Sequence, residues 1–249
     1  MRRLGVILIL FLVFACDSEN ANDCFQTAGP IVQRDIAVEV FDKIFVNRDI
    51  ELILKDGADQ KVTIETGENL MNDVAVSVEN GRITLTDNNT CNYVRDYGIT
   101  KVYMTSPNIT EIRSSTQYDI KSDGVLTYPS LSILSEDFNE PDTFTVGDFI
   151  LEVDSTNLNA VFNGLSIAYI SGKTEYLSVS FVSGDSRFEA RDLEAQNVDV
   201  FNRGSNDIIV NPQQSIRGSI VSTGDVIAVN KPPIVEVEEL YKGRLIFLD

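Results

Sequence analysis

Histidine and tryptophan are both missing from the 249 residues, cysteine occurs three times, and 20 Lys and Arg face 38 Asp and Glu. Each scarcity excludes a chemistry. Without histidine there is no Ser-His-Asp or Cys-His nucleophile, no His-containing zinc site and no HExxH helix. No Walker loop and no Gly-x-Gly-x-x-Gly between strand and helix offers a cradle for a nucleotide. A formal charge of -18 repels phosphate backbones and anionic lipid, which excludes nucleic acid and polybasic membrane binding and fits solubility on a crowded exterior. The lack of tryptophan removes the most useful side chain for stacking on sugars. Tyr93, Tyr97, Tyr103, Tyr118 and Tyr128 gather in mid-chain, as amphipathic contacts or as caps between two parts of the fold, and none is assigned to a site. No catalytic residue, metal or cofactor is expected.

The amino terminus carries an address. Arg2 and Arg3 precede an apolar run, Leu4 to Ala15, of the length of a signal-peptide core and too short to span a bilayer. Its end, Val13-Phe14-Ala15-Cys16, resembles a bacterial lipobox, with Phe14 a loose fit. Residues 1–15 are therefore expected to be a lipoprotein signal peptide, with Cys16 lipidated and holding the protein on a membrane. The alternative is a plain signal peptide with Cys16 an incidental thiol. Asp17-Ser18-Glu19-Asn20 opens a polar tether, assigned to residues 16–37, and resembles the surface-export signal of some lipoproteins; in so acidic a chain these residues are also simply common. Losing Arg2 and Arg3 takes the mature charge to -20. The expected location is the outer membrane, at the cell surface rather than in the periplasm.

With Cys16 set aside, Cys24 and Cys91 are left in an oxidising compartment as a candidate disulfide; two unpaired thiols are the alternative. Two cysteines are too few for a four-cysteine zinc site.

Long helical patterns are scarce as well. What recurs instead is alternation: "DIELIL", "KVTIE", "VAVSVE" and "RITLT" place apolar residues at every second position, as half-buried strands require. Asn80-Gly81 between two such runs is a strong hairpin signal, since both residues tolerate positive φ. Residues 38–113 are thus expected to form a β-rich module with at least one antiparallel hairpin.

From residue 114 onward glycines keep time. Gly164, Gly184, Gly204, Gly224 and Gly243 are spaced by 20, 20, 20 and 19 residues, each between apolar runs. A period in this range signals stacked repeats. Coils of about 20 residues imply a parallel β-solenoid, in which each coil covers the next and the inward Val, Ile, Leu and Phe form one core. These glycines are expected at corners, where the backbone bends through positive φ.

The acidic segment "SEDFNEPDTFTVGD", residues 135–148, reads as a solvated protruding loop; the alternative is a divalent-cation site, since oxygen clusters suit Ca2+, although the spacing of a calcium loop is missing. Asp185 and Asp207, beside neighbouring corner glycines, are candidates for a glycoside-cleaving carboxylate pair, or simply satisfy turn backbone.

"FDKIFVNRDIELILKDGADQKVTIETGENLMNDVAVSVENGRITLTD", "VYMTSPNITEIRSS" and the glycine-marked runs up to "KPPIVEVEELYKGRLIFL" resemble the auto-transporter adhesin head GIN domain family, over about residues 38–249. The resemblance implies a right-handed parallel β-helix and a surface or periplasmic role in adhesion or binding, and it carries over no catalytic residue. The Ser-Gly-Ser-Gly turns typical of relatives are eroded here to "VSGDS", "NRGSN" and "STGDV". The resulting expectation is a non-enzymatic, lipid-anchored envelope protein whose elongated face binds a glycan or a protein surface. A polysaccharide-cleaving β-helix enzyme and an envelope scaffold are the alternatives.

Overall fold

The computed structural model describes residues 23–248 except Thr90; the signal segment and Cys16 lie outside the described residues. Seventeen strands occur among the described residues: β1 (Ile31–Ile36), β2 (Lys43–Asn47), β3 (Glu51–Asp56), β4 (Lys61–Gly67), β5 (Val74–Glu79), β6 (Arg82–Asp87), β7 (Lys101–Ser106), β8 (Glu111–Ser115), β9 (Ile120–Leu126), β10 (Ser130–Ser135), β11 (Phe149–Phe162), β12 (Ile167–Phe181), β13 (Arg187–Asn202), β14 (Ile208–Ile220), β15 (Val226–Ala228), β16 (Ile234–Glu239) and β17 (Leu245–Phe247).

These strands, 58% of the described residues, form one mixed sheet curled into a half-barrel. This corrects the expected right-handed parallel β-helix. The antiparallel pairs β1–β4, β4–β7 and β5–β6 are part of the same sheet as the parallel pairs, so no single parallel winding describes it. The physical reason is the direction of long-range pairing: β4 runs antiparallel to both β1 and β7 within that sheet, in addition to the expected hairpin. A two-residue connection can join only antiparallel neighbours, and Asn80 and Gly81, with φ of 52° and 76°, make such a turn between β5 and β6. The glycine period constrains only the later strands, where β11, β12, β13 and β14 lie parallel in succession.

Within the span assigned to the tether, residues 31–36 form β1, which pairs antiparallel with β4 from Ile31 opposite Gly67 to Ile36 opposite Val62. The Thr63 hydroxyl donates to Asp35 at 2.6 Å, fixing that edge.

The strands on either side of residue 113 share one sheet: β8 pairs with both β2 and β10, and β9 with both β3 and β11. Inward residues then line up across strands. Leu131, Leu158, Leu177, Val198 and Ile216 occupy successive register positions, each at most 1% exposed. Burying each such side chain contributes about 1.5–3 kcal/mol. Phe149, Phe162 and Phe181 stack beside them, with ring centroids 5.6 and 5.9 Å apart.

The acidic connection between β10 and β11 is not wholly a solvated loop. Glu136 is fully buried and paired with Arg113 at 2.6 Å. Glu140 pairs with Arg82.

Candidate functional site

Where β9 to β13 curl, their registers slip. Bulges fall between Ile150 and Glu152 on β11, between Tyr169 and Ser171 on β12, and between Glu189 and Glu194 on β13. A bulge bends its strand and re-aims its side chains. Three of them side by side hollow the outer face into a groove of about 490 Å³. Gly124, with φ of +86°, marks the bend on the β9 side.

Ile150 and Tyr169 are register partners at the groove floor, 41% and 45% exposed. Apolar side chains of this size are normally turned inward on such a strand, so their exposure together marks a contact surface. Around them stand Ser122, Glu152, Glu189, Arg191 and Asp192. The Ser122 hydroxyl is occupied, accepting the Glu152 N–H at 2.9 Å. Glu189 is held by Arg187 at 2.6 Å and faces Arg191 at 3.8 Å. An apolar floor with a rim of charged and hydroxyl groups suits a ligand that stacks on its flat side and hydrogen-bonds at its edge.

A smaller recess, about 150 Å³, lies at the foot of β3, lined by Asp49, Asp87, Asn92, Arg95, Tyr97 and Tyr118. Asp87 is buried, and its carboxylate accepts the Thr100 hydroxyl and the Asn89 amide, each at 2.5 Å. Burial pushes the Asp49 carboxyl above its ordinary value; the Gln117 amide opposes this and the Asp87 charge adds to it. Burial likewise raises the Tyr118 phenol, helped by the Asp49 charge.

The other sequence-derived positions fall as follows. Cys24 and Cys91 are joined in a disulfide, Cα atoms 4.4 Å apart. Asp185 and Asp207 serve the bends between strands: Asp185 accepts the Ser205 hydroxyl at 2.7 Å, and Asp207 accepts Arg187 at 2.9 Å and the Asp225 N–H at 3.3 Å. Gly164, Gly184, Gly204, Gly224 and Gly243 do lie in the connections between strands. Of these only Gly184, at φ +83°, has a left-handed backbone, which corrects the expectation that all five turn through positive φ. At Gly164 and Gly224 the requirement is space: a Cβ would stand 2.0 Å from Thr145 Oγ1 and 2.0 Å from the Asn206 carbonyl oxygen.

The tyrosines scatter. Tyr97 and Tyr118 line the recess, and Tyr103 stands on β7 at 36% exposure. Tyr93 is exposed beside the disulfide, while Tyr128 is buried and donates to the Ser106 carbonyl at 3.1 Å. The groove escaped the sequence because bulges leave no residue signature; the break in alternation at "IKSDGVL", with its glycine, was the one available sign. Among the described residues no group of three or more His, Cys, Asp or Glu could hold a metal ion.

The fold and groove define a class: an all-β protein that presents a hollowed sheet face. The family model "Putative auto-transporter adhesin, head GIN domain" matches residues 40–232, and the chain belongs to that family. Among solved structures, it is similar to a "putative adhesin" from Bacteroides fragilis (TM-score 0.78, 19% identity, covering 89% of this chain and 99% of that one). A "putative adhesin" from Parabacteroides merdae follows (TM-score 0.63, 17% identity, 89% and 97%). A "putative lipid binding protein" from Parabacteroides distasonis also shares the fold (TM-score 0.59, 16% identity, 88% and 97%). No curated protein matches the chain.

Proposed function

We propose that this protein is a non-enzymatic adhesin of the cell envelope, anchored through lipid on Cys16 at the outer face of the outer membrane, which binds a glycan or protein surface in the groove around Ile150 and Tyr169. The observation that carries it is the exposure of Ile150 and Tyr169 side by side in one hollow, in a chain of an adhesin-described family. The charged rim supplies edge contacts, and Glu189 is committed to Arg187, which suits it to holding the rim in shape more than to proton transfer. The signal-like residues 1–15 and the lipobox-like end at Cys16 support the anchoring.

The test has two arms. Intact cells making the tagged protein are shaved with an impermeant protease; loss of the tag while a periplasmic control survives is expected, and its protection would refute the surface assignment. The same cells are then assayed for attachment to a glycan array and to fixed neighbouring cells, with Tyr169→Ala as the variant. Attachment that depends on the protein but is unchanged by Tyr169→Ala would remove the groove from the adhesion surface.

A further inference from the structure

The disulfide gathers a second exposed apolar surface, whose residues do not line the groove. Phe25, Tyr93, Val94 and Tyr97 are 54%, 74%, 52% and 76% exposed. They belong together: Cys24 and Cys91 are bonded, the Tyr93 N–H donates to the Cys24 carbonyl at 2.9 Å, and the Phe25 and Tyr93 rings lie 5.7 Å apart. The Arg95 guanidinium stitches the segment from beneath, donating to the carbonyls of Gln26, Asn89 and Cys91 at 3.2, 3.3 and 3.0 Å. A surface fixed by a disulfide and three such bonds has already lost the freedom that binding would otherwise cost it.

We infer that this aromatic patch seats the protein on the headgroup region of the bilayer that holds its lipid anchor. The inference rests on the anchoring at Cys16. Eight chain steps separate Cys16 from Cys24, a reach of roughly 28 Å at full extension. Phe25 is the next residue, so the patch is the part of the described chain tied nearest to the membrane. Its chemistry fits that occupant: tyrosine has an apolar ring and a polar tip and favours the membrane–water interface. A mature charge of -20 gives no electrostatic attraction to anionic lipid, so seating must come from apolar contact.

The absence of tryptophan makes the test direct. Tyr93→Trp places a single reporter in the exposed patch, and Tyr176→Trp, at a position 51% exposed on β12, serves as the control. The cell-made, full-length lipidated proteins are reconstituted in vesicles of mixed phosphatidylethanolamine and phosphatidylglycerol, with and without lipids brominated near the headgroup. The expected result is a blue shift and loss of at least half the emission for Tyr93→Trp, with neither change for Tyr176→Trp. Unshifted, unquenched Tyr93→Trp emission in protein that floats with the vesicles would overturn the seating alone and leave the patch to a protein partner. Lipid-free protein that fails to float would overturn the anchoring and the seating together.

Discussion

Arg113 and Glu136 face each other across 2.6 Å with their side chains 5% and 0% exposed, joining β8 to the first residue after β10. The Glu136 carboxylate also accepts the N–H groups of Phe138 and Asn139, each at 3.0 Å. Burial alone would push this carboxyl up; the Asn139 bonds and the Arg113 charge outweigh it and hold the group below its ordinary 4.5. A carboxyl lowered in the fold contributes stability above that value and loses it as pH falls through and below it. Glu136→Gln strands the arginine, and a loss of about 3–5 kcal/mol is expected at neutral pH, shrinking under acid. Urea unfolding across pH measures it. The double variant Arg113→Met with Glu136→Met should be more stable than either single one; single losses that simply add in the double variant would mean that the pair is not coupled.

The disulfide between Cys24 and Cys91 spans 67 residues. Closing so long a loop restricts the unfolded chain by about 4 kcal/mol in the chain-entropy account. Cys91→Ser is therefore expected to lower Tm on the order of 10 °C for a chain of this size. It should also open the segment around Tyr93 to proteolysis well below the melting temperature, since that segment is held mainly by the bond and Arg95. Calorimetry with limited proteolysis separates the two effects; an unchanged cleavage pattern would show that Arg95 alone suffices.

Phe162 lies between Phe149 and Phe181 at 0% exposure. Phe162→Ala removes the middle ring from a column carried by β11 and β12, which cannot close over the gap without moving strand backbone. A loss of about 3–5 kcal/mol is expected, with Phe162→Leu clearly milder. Denaturant titration of both variants tests this, and equal losses would indicate that the strands do collapse around the gap.

The alternation of "VAVSVE" and "RITLT" around Asn80-Gly81 made the β5–β6 hairpin legible, because one turn and one pleat fix it locally. The glycine period made the parallel succession from β11 to β14 legible in the same way. What the sequence concealed is long-range. Nothing in "IVQRDI" shows that β1 pairs with β4, or that β4 runs antiparallel to β7, since pairing partners and direction depend on connections that composition does not encode. Those pairings turned an expected parallel helix into a mixed, half-barrelled sheet. The groove was hidden for a related reason: Ile150 and Tyr169 hold ordinary outward positions in their strands, and the slips in register just beyond them, which hollow the face, leave no residue signature.

The glycines offer the sharpest contrast between period and geometry. Gly204 sits at the centre of the 20-residue rhythm, yet its backbone lies outside the left-handed region, and a Cβ there would meet the Phe181 ring at 3.2 Å and the Asn202 side chain at 3.3 Å, contacts that small side-chain shifts relieve. Gly218 keeps no place in that rhythm. It lies within β14 opposite Val200, at φ +129°, and a Cβ would fall 1.8 Å from the Val200 carbonyl oxygen. Backbone cannot step aside there without breaking the β13–β14 ladder. Gly204→Ala is therefore expected to cost about 1 kcal/mol or less, whereas Gly218→Ala should cost several times more, through both backbone strain and the clash. Thermal unfolding of the two purified variants decides it. If Gly218→Ala melted with the parent while Gly204→Ala did not, the repeat and not the close approach of β13 to β14 would be what glycine serves in this half of the sheet.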